Sequence, residues 1–308
     1  MKLTNIDMNM LQAVTDLKKV PDGAVNIRLN GEAVVRSSSP NIEIRSRTDG
    51  RPGFEVEVKA GTRGEKVHVP VLVTQDAYKE KVYNTFIINE DAEVEIIAGC
   101  GIHNSCGADS QHDGIHTIIV KENARMRYVE KHYGEGSGSG KRVLNPHTEV
   151  IMEKGASAEM EMVQIEGVDD TRRTTVAHVG EKANLKIIER LLTQGQQEAE
   201  SDIEIVIAGQ YGNAQILSRS VAQQKSQQVF RAALIGKTAC TGHVECDSII
   251  MGQARIQSIP QLDAEDAEAV LTHEAAIGKI AGEQLIKLMS MGLTEQEAID
   301  LIIEGFLR

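Results

Sequence analysis

Between about residues 23 and 261, hydrophobic and polar residues alternate one by one along the chain. Examples are residues 41–46 (NIEIRS), 54–58 (FEVEV) and 67–73 (VHVPVLV). A period of two is typical of β-strands, because successive side chains of a strand point to opposite faces. The pattern therefore predicts a core made almost entirely of strands.

A short phrase recurs at the turns between these strands: a turn-forming or acidic pair, then alanine, then an alternating strand. The alanines of the clear and the weaker copies are Ala92, Ala124, Ala156, Ala183, Ala214, Ala239 and Ala267. Their spacing of 25–32 residues is typical of stacked repeats, in which each copy buries its small residue against the next. We therefore predict an all-β core folded as a right-handed parallel β-helix. A β-sandwich also has evenly spaced strands, but it does not require the same phrase at every turn.

Two segments show helical periodicity instead. In residues 5–20, apolar residues recur at three-to-four spacing and Pro21 ends the run. After residue 275, Thr294 and Glu297 form a capping box, and Gly292 separates two helical stretches. Their apolar faces include Leu285, Leu288, Met289, Ile299, Ile302 and Phe306. The predicted organisation is thus an N-terminal helical segment (1–22), a β-helix core (23–275) and a C-terminal helical hairpin (276–308).

The composition excludes some classes of partner. The formal net charge is −12, and the chain contains no cluster of Lys and Arg. Proteins bind nucleic-acid backbones and anionic membranes through such clusters, so we expect neither as a partner. The N-terminus has no signal-peptide pattern, and no apolar run is long enough to span a membrane, so we expect a cytoplasmic protein.

The glycine-rich stretch at residues 134–141 is similar to a phosphate-binding loop, but it lacks two of the required residues. That signature needs glycine six residues before its lysine, where Glu135 stands, and Ser or Thr after the lysine, where Arg142 stands. We therefore do not expect a nucleotide hydrolase, and we expect the chain to be no enzyme.

All four cysteines lie in two copies of one motif, Cys-x-x-His-x-x-Cys. The copies are Cys100, His103 and Cys106, and Cys240, His243 and Cys246. Thiolate and imidazole suit zinc, iron or an iron–sulfur cluster, whereas magnesium and calcium prefer oxygen ligands. In the cytoplasm, such cysteines indicate metal binding or catalysis rather than disulfides. The motif therefore predicts metal handling.

A single strand cannot wrap one ion with this motif. Residues six apart on a strand face the same side at a separation of about 20 Å, and the residue midway between them faces the other side. Either nearby glycines let the chain curl, or each thiol joins ligands from other strands or from a second chain. We favour the composite site. The alternative for any single cysteine is that it is a small buried hydrophobe.

More potential metal ligands follow the first motif closely. Residues 100–116 contain the densest collection in the sequence, and we predict His112 and His116 as further candidate ligands beside the two motif histidines. His132 has no such neighbours in the sequence, so we expect it to be a surface or structural strand residue.

Several motifs in the C-terminal third resemble those of a known family. They are Cys-Asp-Ser-Ile-Ile-Met-Gly (246–252), Ile-Pro (259–260), Leu-Thr-His-Glu-Ala (271–275), Gly-Leu-Thr-Glu-Gln-Glu-Ala (292–298) and Ile-Glu-Gly-Phe (303–306). Over about residues 200–308 the chain resembles the SufB/SufD family of iron–sulfur cluster assembly scaffolds. It is closer to SufB because of its Cys-Asp-Ser and His-Glu pairs.

The resemblance implies a scaffold that holds a transient iron–sulfur cluster and forms a homodimer through its β-helix. It implies that a SufC-like ABC-type ATPase docks on the six apolar residues of the helical hairpin, and that apoproteins accept the cluster. Cys246, His273 and Glu274 match residues proposed as cluster ligands in the family. The candidate ligand set is completed by Cys100, Cys106 and Cys240.

The sequence also departs from the family pattern. SufB-like scaffolds usually place an assembly cysteine shortly after the glycine that ends the Cys-Asp-Ser motif, whereas Gly252 is followed here by Gln-Ala-Arg. The long N-terminal region of typical SufB is missing from this sequence. We therefore expect a different ligand set. Two alternatives remain: a SufD-like structural or regulatory subunit that binds the ATPase without a cluster, and a solenoid stabilised by zinc.

Overall fold

The predicted β-solenoid is confirmed by the structure, a computed structural model that describes residues 3–308. The chain forms about eight turns, with a short helix before them and two helices after them. Residues 1 and 2 of the predicted N-terminal segment lie outside the described residues. Within residues 3–308, no helix combines the length and the apolar character that are needed to cross a membrane.

The elements of the described residues follow in chain order. The helices are α1 (Asn5–Thr15), α2 (Gly282–Ser290) and α3 (Glu295–Leu307). The first strands are β1 (Ala24–Leu29), β2 (Glu32–Ser37), β3 (Ile42–Ser46), β4 (Gly53–Val58), β5 (Glu65–Val73), β6 (Lys79–Ile88), β7 (Glu93–His103), β8 (Ser110–Val120), β9 (Arg125–Glu135) and β10 (Arg142–Leu144). The remaining strands are β11 (His147–Met152), β12 (Ser157–Glu166), β13 (Asp170–Val179), β14 (Asn184–Thr193), β15 (Glu198–Ile207), β16 (Asn213–Ala222), β17 (Gln227–Gly236), β18 (Thr241–Ile250), β19 (Arg255–Ala264) and β20 (Val270–Gly278).

The strands form two sheets that enclose one hydrophobic core. Sheet A has the order β2-β1-β5-β7-β9-β12-β14-β16-β18-β20, and sheet B has the order β19-β17-β15-β13-β10-β8-β6-β4-β3, with β11 between β8 and β13. Neighbouring strands are parallel except for β1–β2 and β3–β4, which are antiparallel. Successive coils therefore lie directly on one another.

Inward side chains stack in rows that run from coil to coil. One row of sheet A passes through Tyr128, Met160, Ile187, Ile216 and Val244, and all five are almost fully buried. Because each residue lies about 4.8 Å from its equivalent in the next strand, a row is stable when its members are all apolar or satisfy one another's hydrogen bonds.

The corner at the start of each sheet A strand holds a small residue, as the recurring phrase predicts. In the strand register, the corner residues are Ala92, Ala124, Ala156, Ala183, Gly212, Cys240 and Ala269. The first four predicted positions are confirmed. The predictions of Ala214, Ala239 and Ala267 are wrong by one or two residues, because glycine and cysteine replace alanine in two of these turns.

Helix α1 covers the outer face of sheet A. It ends at Thr15, earlier than the predicted end at residue 20, because Asp16 adopts a left-handed conformation with φ 62°. A Cβ atom at Gly99 of β7 would lie 2.6 Å from the carbonyl oxygen of Val14. Glycine beside Cys100 thus allows the helix to approach the sheet and does not curl the strand around an ion.

The C-terminal end of the solenoid is open. Strands β19 and β20 form the last coil, and Leu262 and Ile277 are 36% and 46% exposed although they occupy inward positions. Helix α3 lies beside β16, where its C-terminal carbonyls accept hydrogen bonds from Arg190 and Arg219 on the outer face. The hairpin therefore leaves the end of the solenoid uncovered in the single chain.

Replacing Ala183 by leucine tests the packing of the corner row. Ala183 is 1% exposed, so the larger side chain would have to displace its neighbours in the coils above and below. We expect the free energy of unfolding, measured with urea, to fall by about 1–3 kcal/mol. Ala208→Leu, at an exposed position, should change it by less than about 0.5 kcal/mol. Equal losses for both variants would contradict the assigned register.

Candidate functional site

The two Cys-x-x-His-x-x-Cys motifs are spread along strands and do not surround an ion. In the first motif, Cys100 faces the interior from β7, His103 faces outward at the end of that strand, and Cys106 lies in the loop that follows. In the second motif, Cys240 occupies a corner, and β18 directs Cys246 inward. The expectation that one strand cannot bind one ion with this motif agrees with the structure.

The motif histidines are engaged in local hydrogen bonds. His103 Nδ1 lies 3.0 Å from Glu135 Oε1, and its Nε2 lies 2.9 Å from Ser105 Oγ. His243 Nδ1 lies 2.8 Å from the hydroxyl of Thr272 on β20. Both imidazoles lie on the outer surface, away from Cys100 and Cys246.

The four thiols do not meet within one chain. Cys100 on β7 and Cys246 on β18 are separated by five strand spacings of sheet A, about 24 Å. Cys106 accepts a 3.4 Å hydrogen bond from the backbone N–H of Ala108 in its own loop. Cys240 fills the corner row, where a Cβ at Gly236 would lie 2.9 Å from its sulfur. Any site that combines the two motifs would need a second chain.

Cys100 instead meets two residues of the neighbouring strand β9. His132 is its direct register partner, and Glu130 lies two residues earlier on the same inward face. The ligand atoms of Cys100, Glu130 and His132 all lie within 4.8 Å of one another, and the three residues are buried. These three residues come from two neighbouring coils and could together hold a metal ion, and we call them the interior triad.

A buried arginine lies against the interior triad. Arg173 on β13 donates to Glu130 Oε2 at 3.0 Å and lies 3.8 Å from the carboxylate of Glu189. Burial by itself would raise the pKa of Glu130, but the contacts with His132 and Arg173 outweigh it and hold the pKa below its ordinary value. Glu130 is therefore a carboxylate at neutral pH although it is 1% exposed.

Burial keeps the thiol and the imidazole next to this carboxylate in their neutral forms. It raises the pKa of Cys100, and the nearby charges of Glu130 and Glu80 raise it further. It also lowers the pKa of His116, on β8, to about 4. A neutral imidazole is a metal ligand, whereas a thiol must lose its proton to bind metal.

His112 and His116 both point into the solenoid from β8. Their Nε2 atoms flank Gly114: an added Cβ at that glycine would lie 3.4 Å and 2.7 Å from them, respectively. Neither Nε2 has a hydrogen-bond partner among the described residues. His112 Nδ1 lies 2.9 Å from Glu80, and His116 Nε2 lies 3.9 Å from Glu130 Oε1. The two predicted candidates therefore lie in the interior, and His116 adjoins the triad.

Polar side chains continue from the interior triad towards Cys246. The Glu189 carboxylate lies 3.8 Å from Arg173. It accepts hydrogen bonds from the hydroxyls of Ser201, at 2.7 Å, and Ser218, at 3.3 Å. Ser218 is the register partner of Cys246. Burial raises the pKa of Cys246 to about 11.

His273 and Glu274 lie on opposite faces of β20. His273 is the register partner of Val244, so it occupies the last position of the apolar row and faces the same side as Cys246. Glu274 pairs with Glu245 and faces outward. Both side chains are exposed because no further coil covers β20. The predicted histidine thus adjoins Cys246, whereas the predicted glutamate does not share its face.

The six predicted partner-contact residues of the helical hairpin are not equally accessible. Met289 is 43% exposed, and the other five are partly buried: Leu285, Leu288, Ile299, Ile302 and Phe306. Larger exposed surfaces belong to Ile286 (68%) and Met291 (74%), which the sequence did not single out. The two helices use much of the predicted face to contact each other and β16.

Sequence inspection missed Glu130, His132 and Arg173. The position of two of them could have been predicted from the repeat. The interval of 32 residues between Ala92 and Ala124 places His132 beside Cys100 and Glu130 beside Ala98. His132, expected to be a surface or structural residue, is 3% exposed and belongs to the triad. Arg173 comes from the opposite sheet, and the repeat interval gives no information across the core.

Replacing Arg173 by methionine tests the buried charge cluster. The change leaves the Glu130 carboxylate in the core without its cation, so we expect the free energy of unfolding to fall by about 3–5 kcal/mol. Arg127→Met is the matched control, because Arg127 pairs with Glu95 and Glu161 on the outer surface. It should cost less than about 1 kcal/mol. Urea denaturation of both variants measures the difference, and a small loss for Arg173→Met would show that Glu130 does not depend on this arginine.

Comparison with known proteins identifies the family. The family model described as "SUF system FeS cluster assembly, SufBD core domain" matches residues 74–306. An Archaeoglobus fulgidus protein named "Iron-sulfur cluster assembly SufBD family protein" is 30% identical over 249 residues, which cover 79% of this chain and 66% of that protein. A relative with the same name from Methanothermobacter thermautotrophicus is 26% identical over 261 residues, which cover 83% of this chain and 62% of the relative.

The chain thus spans slightly less than two thirds of the length of these two relatives. A Methanocaldococcus jannaschii protein of the same named family is 24% identical over 312 residues, and the match covers 97% of both chains. The match to the family model extends over most of the solenoid and both C-terminal helices. The chain therefore belongs to the SufBD family of iron–sulfur cluster assembly proteins.

Proposed function

We propose that this protein is a non-enzymatic scaffold that assembles a transient iron–sulfur cluster and passes it to acceptor apoproteins. The family assignment supports a role in cluster assembly, and the arrangement of Cys246 and His273 supports the scaffold role. These residues face the same side of neighbouring strands in the last two coils; His273 is exposed at the open end, and Cys246 is 3% exposed in the coil before it. Their Cα atoms are about 8 Å apart, as expected for diagonal neighbours in a parallel sheet.

The open end suits a second copy of this chain. Strands β19 and β20 are the last strands of their sheets, so each presents one unpaired backbone edge. The inward apolar residues Leu262 and Ile277 are exposed beside these edges. End-to-end association of two copies would cover both features. It would also bring Cys246 and His273 of both chains to one interface, which provides more ligands for a cluster than one chain offers.

The helical hairpin suits the ATPase partner. Helix α2 buries none of its residues, and Ile286, Met289 and Met291 form an exposed apolar surface on the outer side of the solenoid. We propose that a SufC-like ABC-type ATPase docks there. Closure of the ATPase on ATP would pull on two hairpins at once and thereby rearrange the interface between the two scaffold copies.

Thiol ligands at this interface require a reducing compartment, so we place the protein in the cytoplasm. The raised pKa of Cys246 means that the thiol is protonated until iron binds. A ligand of this kind suits a cluster that is built and then released. The SufD-like alternative predicts binding of the ATPase without a cluster, and the zinc-stabilised alternative predicts stoichiometric zinc and unfolding with chelators.

Anaerobic reconstitution with iron and sulfide tests the scaffold role. We expect cluster absorbance in the unmodified protein and its loss in Cys246→Ser, because the variant lacks the thiol at the interface. Cys240→Ser is the matched control and should keep the absorbance, since Cys240 fills a corner. Absorbance that survives in Cys246→Ser would contradict the assigned ligand, and no absorbance in any form would favour the SufD-like alternative.

Two substitutions separate the proposed surfaces. Ile277→Glu places a charge in the end-to-end interface and should convert dimers to monomers, measured by light scattering, while binding of the ATPase is retained. Ile286→Glu places the same charge on α2 and should abolish ATPase binding in a pull-down without changing the dimer. Identical effects of the two variants would contradict separate surfaces.

A further inference from the structure

We propose that the interior of the solenoid holds a divalent first-row transition metal, bound by Cys100, Glu130, His132 and His116. This site lies about five coils from Cys246 and is separate from the proposed cluster interface. It does not depend on the scaffold role.

The donor atoms are already close together. Those of Cys100, Glu130 and His132 lie within 4.8 Å of one another, and His116 Nε2 lies 3.9 Å from Glu130 Oε1. In a tetrahedral site with metal–ligand distances near 2.0–2.3 Å, donor atoms are about 3.3–3.8 Å apart. Side-chain rotations that bring the donor atoms of Cys100, Glu130 and His132 about 1 Å closer together would give these distances. His116 would supply the fourth ligand by rotating from its place beside Glu130. One sulfur, two nitrogens and one oxygen form a mixed set that suits iron, cobalt or zinc.

In both histidines, Nε2 is the ring nitrogen that faces Glu130 and the proposed ion. His132 Nδ1 lies 3.2 Å from the side-chain carbonyl of Gln164 and 3.3 Å from the guanidinium of Arg173, and its Nε2 lies 3.7 Å from Glu130 Oε2. With the ring proton on Nδ1 and directed to Gln164, Nε2 would have the lone pair that a metal ion needs. The side-chain amide of Asn84 lies 3.4 Å from His116 Nδ1, and its oxygen has no partner among the described residues. With the amide oxygen turned to that nitrogen, Asn84 would accept from Nδ1–H. Metal-binding histidines are typically held in this way.

The unpartnered Nε2 of His116 is an independent sign of a ligand. The imidazole is 5% exposed, and no described group satisfies this nitrogen. Leaving a buried polar atom unpaired costs about 1–3 kcal/mol, so such atoms are rare in cores without a function. Gly114 keeps the adjoining space free, because a Cβ there would lie 2.7 Å from the same nitrogen.

The charges of the cluster also call for a cation. Glu130 and Glu189 are buried with Arg173 as their shared cationic neighbour among the described residues, which leaves the group with a net negative charge. A divalent ion that binds Cys100 as thiolate would make the buried group electrically neutral.

Cobalt(II) binding to the full-length protein tests the site, because a cobalt–thiolate bond gives a charge-transfer absorption band. Metal-free protein, prepared anaerobically with a chelator, is titrated with Co²⁺, and one sample is refolded in its presence. We expect a single ion per chain, with a thiolate band and the visible bands of a tetrahedral site. Cys100→Ser should lose the thiolate band. Gln164→Leu should weaken binding by about 10–100-fold, because it frees the ring of His132.

Controls separate this site from the proposed cluster interface. Cys246→Ser and Cys106→Ser should keep the full cobalt spectrum, whereas Cys246→Ser is the variant expected to lose the iron–sulfur absorbance. His116→Gln should bind Co²⁺ more weakly and change the visible bands, while its circular dichroism shows an intact fold. A cobalt spectrum that is unchanged in Cys100→Ser would overturn the proposal. So would a protein that takes up no Co²⁺ either by titration or by refolding.

Discussion

In-register stacking of parallel strands is the constraint on which the rest of this structure depends. Each inward side chain lies about 4.8 Å from the side chain at the same position of the next coil, so neighbours in space are residues about one repeat apart in sequence. The row from Tyr128 to Val244 meets this constraint with apolar residues throughout. The neighbouring rows mix apolar and polar residues: Met162 lies between Glu130 and Glu189 in one row, and Cys100, His132 and Gln164 follow one another in the next.

Charged groups in such a core are costly, and their arrangement indicates what they do. Glu130, Arg173 and Glu189 are almost fully buried, and hydrophobic residues of similar size would often be as stable in their place. Stability alone therefore does not explain them. Their position beside Cys100 and His116, whose Nε2 has no partner among the described residues, is instead consistent with a site that handles a cation. The interior of this solenoid thus has polar chemistry that a purely structural β-helix would not need.

The two ends of the solenoid are covered to different extents. At the N-terminal end, the antiparallel pairs β1–β2 and β3–β4 and helix α1 cover the first coils. At the C-terminal end, strand edges and inward apolar residues remain exposed, and the helical hairpin lies to the side of the opening. His273 lies on the last strand beside this opening, and Cys246 lies buried in the coil before it. The proposed metal site therefore lies inside the solenoid, and the proposed cluster site lies where its stacking stops.

The sequence by itself determined the period-two strands, the stacked repeat, the capping box at Thr294 and the presence of thiols with imidazoles, because these are local patterns. It did not determine which thiols would meet. Turns of different length set the register, with corners 27–32 residues apart, and the opposite sheet supplied Arg173 through the core. The tertiary structure therefore decided that Cys100 lies beside His132 and Glu130 and far from Cys246. Strand register sets which residues of neighbouring strands are adjacent, and the pattern within a single strand does not contain that information.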